Sequence, residues 1–421
     1  MVQNISSVKI LHLSASRFRG AGIATVNLCK YLEQAGFESF LYVPESQVKG
    51  LIGEKMAQMR KKLISDKTWH RIKKLIGKEK KEDVAYNMHS LGDTFLNTSV
   101  ENILSKVPFV PDIIILHWIG GFLNAENIRE LSVLTKAKIY WLMLDDAPIT
   151  GGCHFPWKCL GYTAQCGFCP GIYSNDKYDI TYKQLQQKKD LFRGMDISVI
   201  ATSEGDYLRA KSSSLFKDKP VFKMFLPVDS KRFFGDSSCM QLRKQLGIPA
   251  DKKVVLFGAS NIQDKRKGGT LFLKAWELLD KENICLLLLG KVDKEYLNQF
   301  GGEVIYLGTV DEKKLIQCYQ CSDFFVCPTV EDSGPYMINQ ALMCGTPIVS
   351  FNVGGSIDLV VTGETGFNCG IPSVESLLEG MTYLAKLTDF ESSMLRESCR
   401  RIALKSLSVE RFIEKFNQII S

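Results

Sequence analysis

Short runs of aliphatic and β-branched residues recur along the chain, separated by stretches whose apolar positions repeat at helical spacing. In the first half they are VKILHLS (8–14), FLYV (40–43), DIIILHW (112–118), KIYWLML (138–144) and ISVIATS (197–203). A second series follows: KKVVLFGAS (252–260), ICLLLLG (284–290), VIYLG (304–308), FFVCPT (324–329) and PIVSF (347–351). Runs this short and this continuously apolar predict parallel strands covered on both faces. Two successive α/β series therefore predict two doubly wound domains, joined near FLPVDSKRFFG (225–235), where Pro227 and polar residues interrupt the alternation. Ligands of such sheets bind beyond the C-terminal strand ends, so the expected site is a cleft that the two domains face. The last helical stretch, VERFIEKFNQII (409–420), carries apolar residues at 412, 416, 419 and 420 and reads as an amphipathic cap. The expected division is residues 1–226, residues 227–404 and a terminal helical segment 405–421 packing back on the first domain.

At 421 residues and 45% hydrophobic content, the chain has material for more than one core, which excludes a disordered protein. No long uncharged apolar run is present, and MVQNISSVKILHLSASRFRG lacks the pattern of a signal peptide. A cytoplasmic location is expected. The net charge of +7 is unevenly placed. From Lys55 to Lys81, eleven Lys and Arg face only Asp66 and Glu79, so this segment is +9 and the remainder −2. A chain-wide polyanion-binding surface, and with it a nucleic-acid partner, is not expected. The basic segment belongs to an insertion at about 53–84. Its Met59, Leu63, Trp69, Ile72, Leu75 and Ile76 at broadly helical spacing suit a helix lying on an anionic membrane, or a solvated hairpin packed on the domain.

Thirteen cysteines divide into two groups. Most are scattered through strand-like and helical stretches, as reduced core cysteines are. Cys153, Cys159, Cys166 and Cys169, in an insertion at about 146–172, form C-x5-C-x6-C-x2-C. Four thiolates suit a structural Zn²⁺; the alternatives are a reduced loop or a disulfide pair, the latter disfavoured in the cytosol.

The stretch VEDSGPYMINQALMCGTPIVSFNVGG (330–355) places an acidic pair beside a Gly-Pro turn and the start of a short helix. An acid held there can grip sugar hydroxyls, while the free amides of a helix start face a phosphate. With FGASNIQDKRKGG and YLGTVDEKKLIQCYQCSDFFVCPT before it, the segment of roughly 250–370 resembles the C-terminal half of family 4 retaining glycosyltransferases, which adopt the GT-B fold. The resemblance implies that Glu331 contacts the donor sugar, with Asn339 at the position of a second acid that contacts the ribose. It also implies a diphosphate role for Lys267. Asn261 stands where an Arg is often found, so Lys265 or Arg266 is the substitute cation. Pro335 lacks an N–H, which leaves Gly334, Tyr336 and Met337, next to Ser333, as the amides for phosphate. In this fold, cationic side chains and helix ends stabilise the leaving diphosphate, so no catalytic cofactor or metal is expected.

In the first half, SASRFRGAGIATVNLCKYL (14–32) places Gly20 and Gly22 between the first strand and first helix, where the family's backbone approaches donor and acceptor. LHWIGGFLN (116–124) and LMLDDAPITGGCHF (142–155) resemble a subgroup of bacterial surface-polysaccharide enzymes, whose second motif reads His-Asp-x-x-Pro-x-Thr-Gly-Gly-Cys-His. Asp145 matches the Asp, while Leu144 stands at the first His. His117 and Asp145 are candidate catalytic residues at strand ends, with a satisfied structural histidine as the alternative for His117. The sequence reads as a retaining hexosyltransferase moving sugar from a nucleoside-diphosphate donor to a saccharide or lipid-linked acceptor, peripheral on the inner face of the plasma membrane. A non-catalytic sugar-nucleotide-binding subunit and a GT-B sugar-nucleotide epimerase are the alternatives.

Overall fold

The structure, a computed structural model, describes residues 8–44, 84–235 and 239–421. The basic stretch 55–81 lies outside them. Two compact units divide the chain: 1–199 with 210–221, and 200–209 with 222–421. The first contains a six-stranded sheet in the order β2-β1-β3-β4-β5-β6, from β1 (Lys9–Leu13), β2 (Glu38–Tyr42), β3 (Ile113–Leu116), β4 (Lys138–Met143), β5 (Ile197–Ala201) and β6 (Val221–Lys223). The β1–β2, β1–β3 and β3–β4 pairings are parallel. The second has the order β12-β11-β10-β7-β8-β9, from β7 (Lys253–Asn261), β8 (Ile284–Lys291), β9 (Glu303–Gly308), β10 (Phe324–Cys327), β11 (Ile348–Ser350) and β12 (Gly366–Asn368), with every pairing parallel.

The period-two alternation of side chains explains why helices cover both faces of the second sheet. Val254, Leu256, Cys285 and Leu287 pack into one core, whereas Val255, Phe257, Leu286 and Leu288 pack into another on the opposite face. In the first sheet Leu11, Leu13, Ile114, Leu116, Ile139, Trp141 and Met143 share one core. Parallel strands with crossover helices, wound in both directions from a central strand, make each unit Rossmann-like and the architecture GT-B.

All ten expected strands are present. The two that were not expected, β6 and β12, are three-residue strands at the sheet edges, too short to give a hydrophobic pattern. Helix Val409–Ile420 buries Phe412 and Phe416 and falls in the second unit. Among the described residues, no helix is long and apolar enough to cross a membrane.

Candidate functional site

In the second unit, two loops at C-terminal strand ends carry the charged candidates. After β7 the chain turns through Lys265–Lys267, a single 3-10 turn capped by Asp264, which accepts from the Arg266 amide at 3.0 Å. Gly268 closes the turn at φ +67°, and a Cβ there would fall 1.7 Å from the Pro328 carbonyl oxygen. Only glycine allows that approach. It brings the cations of this loop beside the loop that follows β10, where the Val330 amide donates to the Arg266 carbonyl at 2.8 Å.

Asp332 is the hub of the resulting cluster. Its carboxylate pairs with the Lys267 ammonium and lies 3.6 Å from Arg266, whose guanidinium also pairs with Asp264 at 2.7 Å. Burial pushes the Asp332 carboxyl up, but Lys267 and Arg266 together outweigh it and hold the group below its ordinary value. Lys267 is therefore oriented by an acid that stays ionised. Asn261 is exposed at the end of β7, where its side chain accepts from the Gln263 amide, and Lys265 is exposed on the same loop.

Glu331, 6% exposed, pairs with Arg209 at 2.8 Å. Burial raises its carboxyl above the ordinary value, with Arg209 acting in the opposite direction. Arg209 lies on helix Glu204–Ser212, in the 200–209 stretch that belongs to the second unit. Sequence reasoning missed it, because an Arg in a polar helix over a hundred residues before its partner gives no local signal. Asp332 was quoted in the acidic pair but given no role.

Helix Tyr336–Met343 begins at Pro335 without a capping side chain. Of the three amides expected to face phosphate, that of Gly334 donates to the Asp332 carboxylate at 3.3 Å. Tyr336 uses its hydroxyl on the Pro227 carbonyl at 2.6 Å, and the Met337 side chain packs near Gly258. Ser333 is buried, and its carbonyl accepts from the Ser203 hydroxyl at 2.7 Å. Asn339 is buried and donates its amide to the Leu226 carbonyl at 3.0 Å, so one donor is committed to the backbone.

In the first unit, His117 follows β3 and Asp145 follows β4, and both line one recess with Trp118, Trp141, His154 and Lys188. His117 stacks on His12, with 2.9 Å between its Nε2 and His12 Nδ1. Its Nδ1 is buried and has no hydrogen-bond partner. Burial, and secondarily His12, draws the His117 imidazole well below its ordinary pKa, so it sits in the recess as a neutral ring. One ring nitrogen of this histidine is held by His12, and the other is buried and unpartnered.

Asp145 Oδ2 bonds His154 Nδ1 at 2.7 Å, its Oδ1 accepts from the Ala147 amide at 2.9 Å, and His154 Nε2 reaches the Ser90 hydroxyl at 3.0 Å. His154, which matches the last His of the motif, is thus the partner of Asp145, while Leu144 leaves the first His position without an imidazole. Lys188 donates to the Ala147 and Thr150 carbonyls at 2.7 and 2.9 Å, and burial lowers its pKa to about 8. Gly20 and Gly22 depart from expectation: both lie in the first turn of helix Arg19–Gln34, which starts before them. Nothing lies within 4 Å of a Cβ at Gly20, whereas one at Gly22 would fall 2.6 Å from the Arg17 carbonyl carbon. Gly22 is therefore needed for the chain to double back on residues 16–17.

Comparison with known proteins gives the class. Residues 251–386 match the family described as glycosyl transferases group 1. Across 98% of this chain and 99% of the other, the fold superposes on the Anabaena protein HepE, solved with UDP and glucose, with a TM-score of 0.64 at 15% identity. Residues 251–386 thus carry the group 1 glycosyltransferase match, and the fold of the chain is GT-B. An uncharacterized glycosyltransferase of Methanocaldococcus jannaschii is 26% identical over 222 residues, which is 49% of this chain and 54% of that one. The alpha-1,3/1,6-mannosyltransferase ALG2 of Dictyostelium discoideum is 25% identical over 213 residues, 48% of each chain. The chain thus matches about half the length of these curated relatives.

Proposed function

We propose that the protein transfers a hexose-type sugar from a nucleoside-diphosphate sugar to a hydroxyl of a saccharide or lipid-linked acceptor, with retention at the anomeric carbon, in cell-surface polysaccharide assembly. The observation that carries the reading is the cluster of Glu331, Asp332, Lys267, Arg266 and Arg209 within a group 1 glycosyltransferase unit. Breaking the glycosidic bond leaves negative charge on the β-phosphate, and preorganised cations lower that barrier most where water is scarce. Lys267, steered by Asp332, and Arg266 are the side chains for this role, supplemented by the uncapped start of helix Tyr336–Met343. Glu331, kept in place by Arg209, accepts hydrogen bonds from the donor-sugar hydroxyls.

Retention follows if the acceptor attacks from the face that the diphosphate leaves, and the departing phosphate oxygen takes the acceptor proton. The donor base is left to experiment, since HepE was solved with UDP whereas a Corynebacterium glutamicum relative is a GDP-mannose-dependent alpha-mannosyltransferase. The recess of the first unit, with the edges of Trp118 and Trp141 beside His117, Asp145 and His154, has the mixed aromatic and polar lining that saccharides select. Thermal stabilisation by a panel of UDP-, GDP- and ADP-sugars, followed by nucleotide release with acceptors and NMR of the product anomer, tests the whole reading. Binding without release for every acceptor favours a non-catalytic subunit. Conversion of the free donor to its epimer favours the epimerase.

A further inference from the structure

We propose that Cys153, Cys159, Cys166 and Cys169 bind one Zn²⁺ ion through four thiolates, fastening the segment between β4 and helix Ile180–Leu191. That segment, residues 144–179, contains only two single 3-10 turns, Gly161–Thr163 and Pro170–Ile172. Connections of this length without regular structure are uncommon in compact domains and need a tie of their own. The apolar cluster beneath it is small: Met88, Leu91 and Cys169, with Tyr86, Cys153, Ile172 and Ile180 against them. Ile149 and Tyr162 anchor part of the segment in the main core, but the stretch that carries the cysteines has only this small patch to order it.

All four cysteines line a single recess, and four of its eight other lining residues are glycines. The glycines are held by close approach: a Cβ at Gly151 would fall 2.0 Å from the Thr181 carbonyl oxygen, and one at Gly167 would fall 2.1 Å from that of Lys177. At these two glycines the backbone is thereby drawn close around the sulfurs. Amides also point at the sulfurs. The Gly161 N–H donates to Cys159 Sγ at 3.5 Å, the Gly151 amide is directed to Cys166, and those of Gly171 and Ile172 to Cys169. A neutral thiol is a weak acceptor, so converging N–H groups are suited to thiolate sulfur.

Positive charge stands beside the cluster. The Lys188 ammonium bonds the Thr150 carbonyl at 2.9 Å, the Thr150 hydroxyl bonds the Cys153 carbonyl at 2.5 Å, and Lys189 bonds the Ala164 carbonyl at 2.7 Å. A zinc ion with four thiolates carries two net negative charges, which the two ammonium groups offset in part, since Asp146 and Asp179 also stand near Cys153 and Cys169. The described cysteines form no disulfide. Among the described residues, no three His, Cys, Asp or Glu side chains already form a metal-holding group, so metal binding requires the four sulfurs to move together. Four thiols then release four protons to solvent and four Zn–S bonds form, without any change of oxidation state. An all-sulfur tetrahedral donor set selects zinc among the abundant divalent ions.

The test uses the full chain, expressed with zinc in the medium and purified under reducing conditions without chelator. Elemental analysis is expected to give about one zinc per chain. Replacement by Co²⁺ is expected to give the thiolate charge-transfer and visible bands of a tetrahedral tetrathiolate site. Cys166→Ser should lose most of the metal, while Cys29→Ser, remote from the cluster, should keep it. If Cys166→Ser does not fold, mercurial titration of the unaltered protein replaces it: zinc must be released in step with modification of these thiols. Metal-free protein with the four cysteines reduced, a mass two hydrogens lower that shows a disulfide, or full zinc retention in Cys166→Ser would each overturn the proposal.

Discussion

Replacing Arg209 by leucine removes the cation facing the Glu331 carboxylate, and the cost can be bounded from the structure. The Glu331 side chain is 8% exposed, so water cannot replace the guanidinium, and a buried carboxylate left alone is strongly destabilising. Protonation is the escape. Relative to an ordinary carboxyl value of 4.5, taking up a proton at pH 7 costs about 3.4 kcal/mol, and at pH 5 about 0.7 kcal/mol. The charge part of the Arg209→Leu penalty therefore has a ceiling of about 3 kcal/mol at pH 7 and falls below about 1 kcal/mol at pH 5. The sign is fixed by linkage. A carboxyl raised in the folded state binds more protons folded than unfolded, so its contribution to stability falls as pH rises past its ordinary value. Burial already raises Glu331, and losing Arg209 raises it further.

Urea unfolding at both pH values, for Arg209→Leu, Glu331→Gln and the double variant, measures the terms separately. The expected result is a penalty for Arg209→Leu that shrinks with acidity and that largely disappears, at pH 7, when Glu331 is already Gln. An equal penalty at pH 7 and pH 5, or an undiminished one in the Glu331→Gln background, would refute the pairing argument.

Lys267→Ala should lower kcat/KM for transfer by roughly 10²–10³-fold, as loss of one charge-stabilising donor does, and Asp332→Asn should lower it by less, since it misdirects Lys267 without removing it; product assays on both variants decide. Gly268→Ala should destabilise the second unit by several kcal/mol, because the new Cβ meets the Pro328 carbonyl at φ +67°, and denaturant titration reads the loss. Gly20→Ala, with open space at its Cβ in a helix, should instead stabilise the protein by about 0.5–1 kcal/mol, and a fall in turnover in that stabilised variant would show that the backbone there approaches a substrate. Replacing Lys61, Lys62, Lys73 and Lys74 by Glu should release the protein from anionic liposomes at low salt, each basic residue near such a surface being worth about 1 kcal/mol; unaltered protein that ignores those liposomes would remove the membrane reading.

How much of this was legible in the sequence depended on whether the physics was local. The ten expected strands are runs whose alternate residues enter cores on opposite faces, so each carried its own signal; Val255 and Phe257 against Val254 and Leu256 show the mechanism. The edge strands β6 and β12 have three residues each and little of that pattern. The same rule sorts the site. Lys267, Gly268, Glu331 and the turn at Pro335 lie in short stretches whose own chemistry announces a loop between strand and helix. Arg209 does not, because its meaning comes only from the carboxylate it reaches. His154 is the instructive intermediate. It is the last residue of the motif, nine residues beyond Asp145, and nothing in the local sequence says that it reaches back to that carboxylate. The fold supplies the contact: the loop 146–153 doubles back so that the His154 amide and carbonyl bond Tyr86 and Asp146, and its ring meets Asp145. A His–Asp pair requires only that the imidazole and the carboxylate meet in space. Sequence order therefore constrained it less than the tight glycines Gly151 and Gly152, which let the loop close.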